Sequence, residues 1–448
     1  MPSAFFYIAL MLAVIYVWFM LLKRPVYEAM FAAFIILAII SGKFGNIPAY
    51  FQAGLKTSLL YSMTVFIALS MILTKTGIID GAVNIILSLL GKITGGPGYA
   101  AVIASSFMGA LSGSGPGNVM ATGTITIPAM KRAGFPPELA ANIESTSSYL
   151  GNMIPPSANI MAALGAYTAL YPEAEITSGQ FWIVCWGCSL WFIIQRLLTV
   201  FVFCKVYNVR PMKHEDIPDL MTSLRNGWKG LLLPVIILAP FVLDFFFKAS
   251  FFTSRLGKTG AGFFSGSMLF FIAGVAAFYA LIMNPVKLPS LADTFSEGAK
   301  NISLTVGTCI FGYMTGALFK DMNVSNEFHE FFGSLNMGRI SLALYIPLLM
   351  CFFGMIIPGS SIVVLFGSAI IAMFAETGIN PLLAAAMLPC ICGVMDGITP
   401  PLALGMYAGM SIAESDFRKT VLNDLWWVAL QYIMEVIILL GLLPVMGV

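Results

Sequence analysis

The stretch SGSGPGN, from Ser112 to Asn118, interrupts an otherwise apolar part of the chain. The apolar run GYAAVIASSFMGAL precedes it, and VMATGTITIPAM follows it. Glycines and a proline in such a cluster break a helix, and a break in hydrocarbon leaves backbone N–H and C=O groups without water. The break persists only where protein, a water-filled cavity or a ligand satisfies those groups. If the chain lies in a membrane, this stretch therefore indicates a site where protein, water or a ligand pairs with the backbone groups.

The composition places the chain in a lipid bilayer. Of its 448 residues, 59% are hydrophobic and 10% are charged, whereas a soluble domain has about 25% charged residues. The mean hydropathy is +0.90, so a soluble fold would lack the polar residues to cover its surface. The net charge of +2 is too small to indicate a nucleic-acid partner. We therefore expect an all-α polytopic membrane protein.

A membrane span needs about 20 apolar residues, and the chain offers ten candidates on that basis. They lie at 4–22, 26–42, 58–76, 138–168, 181–204, 230–248, 264–283, 302–319, 381–412 and 421–446. Two of them, 138–168 and 381–412, are long and contain Pro-Pro, which predicts broken helices. Two further apolar regions, 97–131 and 340–376, are interrupted by Gly, Ser and Pro. For these we predict re-entrant helical hairpins.

The distribution of basic residues predicts the orientation. With the N-terminus outside, the cytoplasmic side collects 15 Lys and Arg residues and the outer side collects 7, as the positive-inside rule requires. This orientation holds only if neither hairpin crosses the membrane. Both termini are then periplasmic, and the polar segment 205–229 is a cytoplasmic linker.

The two halves of the chain are predicted to be inverted repeats. Residues 1–204 and 230–448 each contain five spans and one hairpin, and their motifs correspond. SGS at 112–114 matches PGSS at 358–361, and GNMIPPSAN at 151–159 matches DGITPPLAL at 396–404. Because each half has an odd number of crossings, the second half is inverted. Paired breaks of this kind are typical of the binding site of a secondary transporter.

The chemistry of a helix break suits ions. The N-terminus of a half-helix offers free N–H donors to an anion, and free carbonyl groups suit a small cation such as Na⁺. At the first break, Pro116 fits the first turn of the returning helix, and Ser112, Ser114 and Asn118 add oxygen atoms. The alternative is an ordinary kinked helix that is packed by small residues.

The motifs resemble a known family. GALSGSGPGNVMATGTITIPAMKRAGFPPELAANIESTSSYLGNMIPPSANI, PGSSIVVLFGSAIIAMFAETGINPLLAAA and GVMDGITPPLALGMYAGMSIAESD are similar to the large membrane (permease) subunit of tripartite ATP-independent periplasmic (TRAP) transporters. The resemblance implies Na⁺-coupled import of an organic acid across the bacterial inner membrane. It implies a transport domain that moves like an elevator against a scaffold. The implied partners are a small four-helix membrane subunit and a periplasmic substrate-binding protein.

The resemblance also implies two Na⁺ sites and a substrate site between the two tips. The first Na⁺ site would use Ser112, Gly113, Ser114, Asn118 and Gly151. The second would use Gly359, Ser360, Gly397 and Thr399, with Asp396 as a further candidate. The substrate residues would be Ser114, Gly115, Asn118, Pro156, Ser360 and Ser361.

Five ionisable residues lie in or near apolar segments, where charge is unfavourable and often functional. Glu144 either lines the pathway or packs with satisfied hydrogen bonds. Asp396 either binds or orients a cation, or it caps a helix. Arg196 neutralises a substrate carboxylate, pairs with Glu144 or extends to the interface. For Asp244 and Glu435 we expect structural roles.

Two other functions compete with the importer. A stand-alone Na⁺–organic anion symporter of the same superfamily would work without a binding protein. An intramembrane enzyme would need a nucleophile with its base, or a metal cluster, at membrane depth. The sequence contains no HExxH or GxSxG motif, and it has no GxxxxGK[ST] phosphate loop that a primary pump would use.

Overall fold

The computed structural model describes most of the chain. The described residues are 4–56, 58–112, 115–155, 157–171, 173–174, 176–247, 251–324, 327, 334, 337–355, 358–400 and 402–448. In these ranges the regular structure is helical throughout and contains no β-strand. The prediction of an all-α fold is therefore confirmed.

The helices of the first half follow the apolar segments. They are α1 (Ala4–Tyr16), α2 (Val26–Ile40), α3 (Ile47–Lys56), α4 (Ser58–Thr76), α5 (Ile78–Leu90), α6 (Gly96–Ser112), α7 (Gly115–Arg132), α8 (Pro137–Leu150), α9 (Ala158–Leu170) and α10 (Ser178–Val206). A π-helical turn, Val17–Leu21, continues α1. The capping box of Thr177 and Gln180 fixes the start of α10.

The second half contains the remaining eight described helices. They are α11 (Leu220–Phe247), α12 (Thr253–Met283), α13 (Leu288–Asp321), α14 (Arg339–Gly354), α15 (Gly359–Glu376), α16 (Pro381–Gly393), α17 (Leu404–Ala413) and α18 (Phe417–Leu439). Gly257 has a φ of 71°, which kinks α12 near its start.

Several helix bounds differ from the predicted spans. The helices α11, α12 and α13 begin 10 or more residues upstream of the apolar segments at 230, 264 and 302. Hydropathy reports burial in lipid, whereas a helix also continues through polar sequence. The short helices α3 and α5 occupy segments that the apolar scan leaves out. In α5 the apolar residues are interrupted by Asp80, Gly81 and Asn84, so no long apolar run results.

Three described helices are long and apolar enough to cross a membrane by length and composition, namely α10, α15 and α18. Other apolar helices are shorter, with 10–17 residues. The predicted span 138–168 is divided into α8 and α9, and the predicted span 381–412 into α16 and α17. A turn of 3-10 helix follows the first part of each pair, at Gly151–Met153 and at Met395–Gly397.

The packing distinguishes two groups of helices. In one group, α13 packs on α2, α3 and α4. In the other, α6 and α7 pack on α8, and α15 packs on α16. The two halves also exchange contacts, because α7 packs on α17 and α15 packs on α9. Each returning hairpin helix therefore rests on the distal part of the other half's broken helix.

The crossing of α5 and α11 depends on glycine. A Cβ atom on Gly81 would lie 2.5 Å from the Cα atom of Gly227, and one on Gly227 would overlap the carbonyl group of Gly81. A Cβ atom on Gly230 would overlap the carbonyl oxygen of Ile78. Backbone meets backbone at this crossing, so a side chain would separate the two helices.

We expect Gly227→Ala to lower the free energy of unfolding by about 1–3 kcal/mol, because overpacking a tight contact displaces backbone. Thermal unfolding of the purified chain in detergent measures the change. Gly274→Ala in α12 is the control, since a Cβ atom there meets no atom within 4 Å. Equal unfolding temperatures for the two variants would contradict the assigned crossing.

Candidate functional site

The two helix breaks meet around one aromatic ring. Tyr149, in the last turn of α8, is buried. Its ring fills the space in which Gly115, Gly397 and Gly405 would carry side chains. Gly115 begins α7, and the other two glycines belong to the second break and to α17. One side chain from the first half therefore joins the first hairpin to the second break.

A hydrogen bond also connects the breaks. The Nδ2 atom of Asn152 donates to the carbonyl oxygen of Gly393, at the end of α16, over 2.6 Å. Asn159, in the first turn of α9, packs directly against Gly393. The end of α16 therefore lies on the unwound segment of the first half. Sequence reasoning missed Tyr149, Asn152 and Asn159, because nothing in their spacing shows which distant segment they contact.

Within the first break, side-chain hydroxyl groups satisfy carbonyl oxygens. Ser157 donates to the carbonyl oxygen of Asn152, and Ser189 of α10 donates to that of Met153 over 2.8 Å. The carbonyl oxygen of Gly151 accepts from the Ile154 amide over 3.1 Å. The protein itself therefore satisfies much of this break, as proline-rich unwound segments of a membrane protein require.

The first predicted tip is described in part. Ser112 is the last residue of α6 and Gly115 the first residue of α7, whereas Gly113, Ser114 and Pro156 lie outside the described residues. Gly151 is buried, and a side chain there would overlap the backbone of Gly109 in α6. The first hairpin is therefore held tightly against the first break.

Asn118 faces the interior of the first hairpin. Its Nδ2 atom donates to the carbonyl oxygen of Ser105 over 2.8 Å and to the hydroxyl oxygen of Ser148 over 2.9 Å. Asn118 is buried, with 2% of its surface exposed. The amide thus joins α6, α7 and α8 just behind the tip.

The second break holds the predicted Asp396. Its Oδ2 atom accepts from the backbone N–H of Gly359, at the start of α15, over 2.8 Å. Its Oδ1 atom is buried without a hydrogen-bond partner among the described residues. The carboxylate therefore caps α15 with one oxygen, while the other has no hydrogen-bond partner among the described residues. Burial of such an oxygen without a partner is unfavourable.

Three other predicted residues of the second cluster lie close by in the chain. Thr399 is buried and donates to the carbonyl oxygen of Met395 over 2.7 Å. Ser360 is half-buried in the first turn of α15. The Oγ atom of Ser361 is buried without a hydrogen-bond partner among the described residues. A Cβ atom on Gly312 of α13 would lie 3.7 Å from it, so Ser361 faces α13.

The donor set at the second break suits a hard monovalent cation. Such a cation takes carboxylate, hydroxyl and carbonyl oxygens. Asp396 and Ser361 each present a buried oxygen without a partner in the part of the chain that the structure describes. In the same part, no cluster of three or more His, Cys, Asp or Glu side chains could hold a transition metal. Both oxygens, of Asp396 and of Ser361, are of the type that Na⁺ takes as ligands.

The other ionisable residues have defined surroundings. Arg196 does not pair with Glu144. It donates to the side-chain oxygens of Gln195 over 2.7 Å and of Gln431 over 2.8 Å, and it approaches the carbonyl oxygen of Thr146 at 3.4 Å. Glu435 is buried and accepts from Gln431 over 3.0 Å. The side chain of Asp244 lies outside the described set.

Glu144 lies at the centre of a cluster of hydroxyl groups. The members of this Glu144 cluster are Ser105, Thr122, Thr126 and Ser148. They come from three helices, and all are buried. The spacing of Asn118, Thr122 and Thr126 by four residues places them on one face of α7, a signal that the sequence offered.

The fold and the paired breaks define a class of protein, the helical membrane transporters. The chain belongs to the family described as tripartite ATP-independent periplasmic transporter, DctM component, whose profile matches residues 5–446. The resemblance inferred from the hairpin motifs is therefore confirmed.

Curated relatives carry matching descriptions. The C4-dicarboxylate TRAP transporter large permease protein DctM of Pseudomonas aeruginosa is 24% identical over 386 residues, covering 85% of this chain and 83% of that protein. The sialic acid TRAP transporter large permease protein SiaM of Vibrio cholerae is 22% identical and covers 82% and 80%. The isethionate TRAP transporter permease protein DctMQ of Oleidesulfovibrio alaskensis is 22% identical and covers 79% and 52%.

Two solved structures share the fold. The Neisseria gonorrhoeae MtrF structure has a TM-score of 0.63 with 13% identity, covering 89% of this chain and 84% of that chain. The Alcanivorax borkumensis YdaH transporter has a TM-score of 0.56 with 14% identity, covering 87% and 88%. At such identity the likeness concerns the fold alone.

We expect Asn152→Ala to lower the free energy of unfolding by about 1–3 kcal/mol, because the buried carbonyl oxygen of Gly393 loses its donor. Thermal unfolding in detergent measures the loss. Asn226→Ala on the exposed face of α11 is the control and should unfold near the wild-type temperature. An unchanged unfolding temperature for Asn152→Ala would mean that the two breaks are not joined by this bond.

Proposed function

We propose that this chain is the permease of a Na⁺-coupled importer of an organic acid. The observation that carries the proposal is the second break, where Asp396 caps α15 through one carboxylate oxygen and leaves the other unpartnered. A Na⁺ ion bound there would supply the positive charge that a buried carboxylate needs. Ser361 would add a hydroxyl oxygen, and Thr399 belongs to the same break.

The substrate class follows from the relatives and from the helix termini. The three relatives compared above are described as carriers of C4-dicarboxylates, sialic acid and isethionate. We infer an anionic substrate for this chain as well. The start of α7 lies at the first tip, and the N-terminus of a helix attracts an anion. The start of α15 is already capped by the Asp396 carboxylate.

The transport movement is proposed to be that of an elevator. The hairpins and broken helices, α6 to α9 and α14 to α17, would form the moving domain. Its two halves exchange contacts through α7 with α17 and through α15 with α9, which suits a domain that moves as one body. The packing of α13 on α2, α3 and α4 suits a scaffold. We propose that the two halves are inverted repeats, with a cytoplasmic linker at 205–229 and periplasmic termini.

The partners are proposed from the family. A periplasmic binding protein would deliver the acid, and a small four-helix membrane subunit would complete the permease in the bacterial inner membrane. We propose that the small subunit contacts the scaffold and not the hairpins. Exposed aromatic side chains such as Phe271 and Phe278 on α12 give that subunit or lipid an apolar surface.

We expect uptake by the complete system in proteoliposomes to require an inward Na⁺ gradient and no ATP. The probes are labelled succinate, sialic acid and isethionate, which represent the three relatives' substrates. An inward K⁺ gradient of equal size, at the same clamped membrane potential, is the control. Uptake that proceeds without Na⁺, or that depends on ATP, would contradict the proposal.

We expect Asp396→Asn to raise the Na⁺ concentration for half-maximal thermal stabilisation at least tenfold, equivalent to about 1.4 kcal/mol. The amide oxygen of asparagine can still cap α15, but its NH₂ group cannot bind a cation. Purified chain titrated with NaCl against KCl gives the measurement without any substrate. Asp293→Asn, at an exposed position of α13, is the control. Unchanged Na⁺ dependence in Asp396→Asn would exclude Asp396 as a ligand.

A further inference from the structure

Glu144 lies where a charge is difficult to stabilise. It belongs to the middle of α8 and has 0% of its surface exposed. The helices α6, α7, α10, α17 and α18 pack on α8. Burying an ionised carboxylate without a compensating partner is strongly unfavourable. Either a set of donors or a bound proton must therefore compensate for this group.

The helices that pack on α8 carry other charged and titratable groups. They are Tyr99 on α6, Lys131 and Arg132 on α7, Glu138 and Tyr149 on α8, Cys185, Cys188, Arg196, Cys204 and Lys205 on α10, Asp396 beside the second break, Tyr407 on α17, Glu414 after α17, and Arg418, Lys419, Asp424, Tyr432 and Glu435 on α18. Among the described residues, none of them hydrogen-bonds to Glu144. No basic side chain in that set neutralises it.

Hydroxyl groups surround the carboxylate instead. The Oε1 atom lies 2.7 Å from the hydroxyl of Ser105, 2.5 Å from that of Thr122 and 3.1 Å from that of Ser148. The Oε2 atom lies 2.5 Å from the hydroxyl of Thr126. Each hydroxyl carries one hydrogen, which rotates to suit its partners. All four can therefore donate to an ionised carboxylate at the same time.

The same heavy atoms also suit the protonated form. Thr122 has a second acceptor in the carbonyl oxygen of Asn118 at 2.9 Å, and Thr126 has one in the carbonyl oxygen of Thr122 at 3.1 Å. If Glu144 carries a proton on Oε2, it can donate to Thr126, which then turns its own hydrogen to the backbone. The cluster thus exchanges donor and acceptor roles without moving helices. A salt bridge to Arg or Lys would instead fix the charge.

The cluster is linked to the first hairpin tip. Ser148 accepts a hydrogen bond from the Asn118 amide and donates one to Glu144. The same amide also donates to the carbonyl oxygen of Ser105. Asn118 lies in the first turn of α7, and Ser148 lies in the last turn of α8, just before the break that begins at Gly151. Hydrogen bonds therefore connect Glu144 to the first turn of α7 and to the last turn of α8.

We propose that Glu144 is a reversible proton-binding site and that its proton is carried with the substrate in the transport cycle. This inference rests on the proposed transport function, to which it adds a second coupling ion. Proton binding is distinct from Na⁺ binding at the second break. The proton is conserved in this step, because the Glu144 carboxylate gains one proton from the aqueous solution on one side of the membrane and releases it on the other.

The binding step is tested without substrate or Na⁺. Infrared difference spectra of the complete purified chain are recorded between roughly pH 5 and pH 9, the range in which buried carboxyl groups titrate. We expect a pH-dependent carboxyl stretch that is lost in Glu144→Gln and retained in the control Glu138→Gln, on the same helix. If Glu144→Gln does not fold, Glu144→Asp should shift the band. Identical spectra for wild type and the Glu144 variant would overturn the proposal.

The transport step uses proteoliposomes of the complete system at a fixed Na⁺ gradient and clamped membrane potential. The probe is the acid that the Na⁺ experiment selects from succinate, sialic acid and isethionate. With one proton per substrate, an inward gradient of one pH unit should raise accumulation about tenfold. Glu144→Gln should show no such increase, and Glu138→Gln should retain it. A wild type that ignores the proton gradient, or a Glu144→Gln variant that still responds, would overturn co-transport.

A third variant separates a proton site from a packing role. Thr126→Val keeps the shape of the side chain but removes the donor to Oε2, so the ionised form loses a hydrogen bond. The pH midpoint of the infrared band should move upward. A structural role alone predicts lower stability with an unchanged midpoint, and that result would count against the proposal. If uptake by the wild-type system does not depend on Na⁺ while the infrared band of Glu144 is present, only the proposed Na⁺ coupling is overturned.

Discussion

Backbone groups inside a membrane must find partners, and this constraint explains the arrangement of the helix breaks. A continuous helix pairs its own N–H and C=O groups, whereas a broken one exposes them. Here the broken segments pair with each other and with side chains. Asn152 donates to Gly393, and Ser157 and Ser189 donate within the first break. Asp396 receives the first N–H of α15.

The close approach of the breaks depends on small residues. The ring of Tyr149 occupies the space beside Gly115, Gly397 and Gly405, and Gly109 meets Gly151 with no side chain between them. Gly359 meets the end of α16 in the corresponding way. Glycine at these positions allows backbones to touch, so that a donor on one segment reaches an acceptor on another. Close packing at the glycines thus makes the hydrogen bonds between the segments possible.

The carboxylates of Asp396, which is half-buried, and Glu144, which is buried, differ in their surroundings. Asp396 has a backbone donor on one oxygen and no partner among the described residues on the other. Glu144 is surrounded by hydroxyl groups on both oxygens. For the first arrangement we propose a cation and for the second a proton, so that one bundle would hold two coupling ions at separate places.

The sequence by itself determined the membrane class, the all-helical fold, the family and the places of the Pro-Pro breaks. Hydropathy and helix-breaking residues are local properties, so a scan of the chain detects them. The predicted apolar spans begin within α11, α12 and α13 and leave out α3 and α5, because helices also form in mixed polar sequence. Only the tertiary structure decided that Tyr149 joins the two breaks, that Arg196 bonds to glutamines, and that hydroxyl groups from α6, α7 and α8 enclose Glu144. These contacts join residues far apart in the chain, and their geometry depends on how the helices cross.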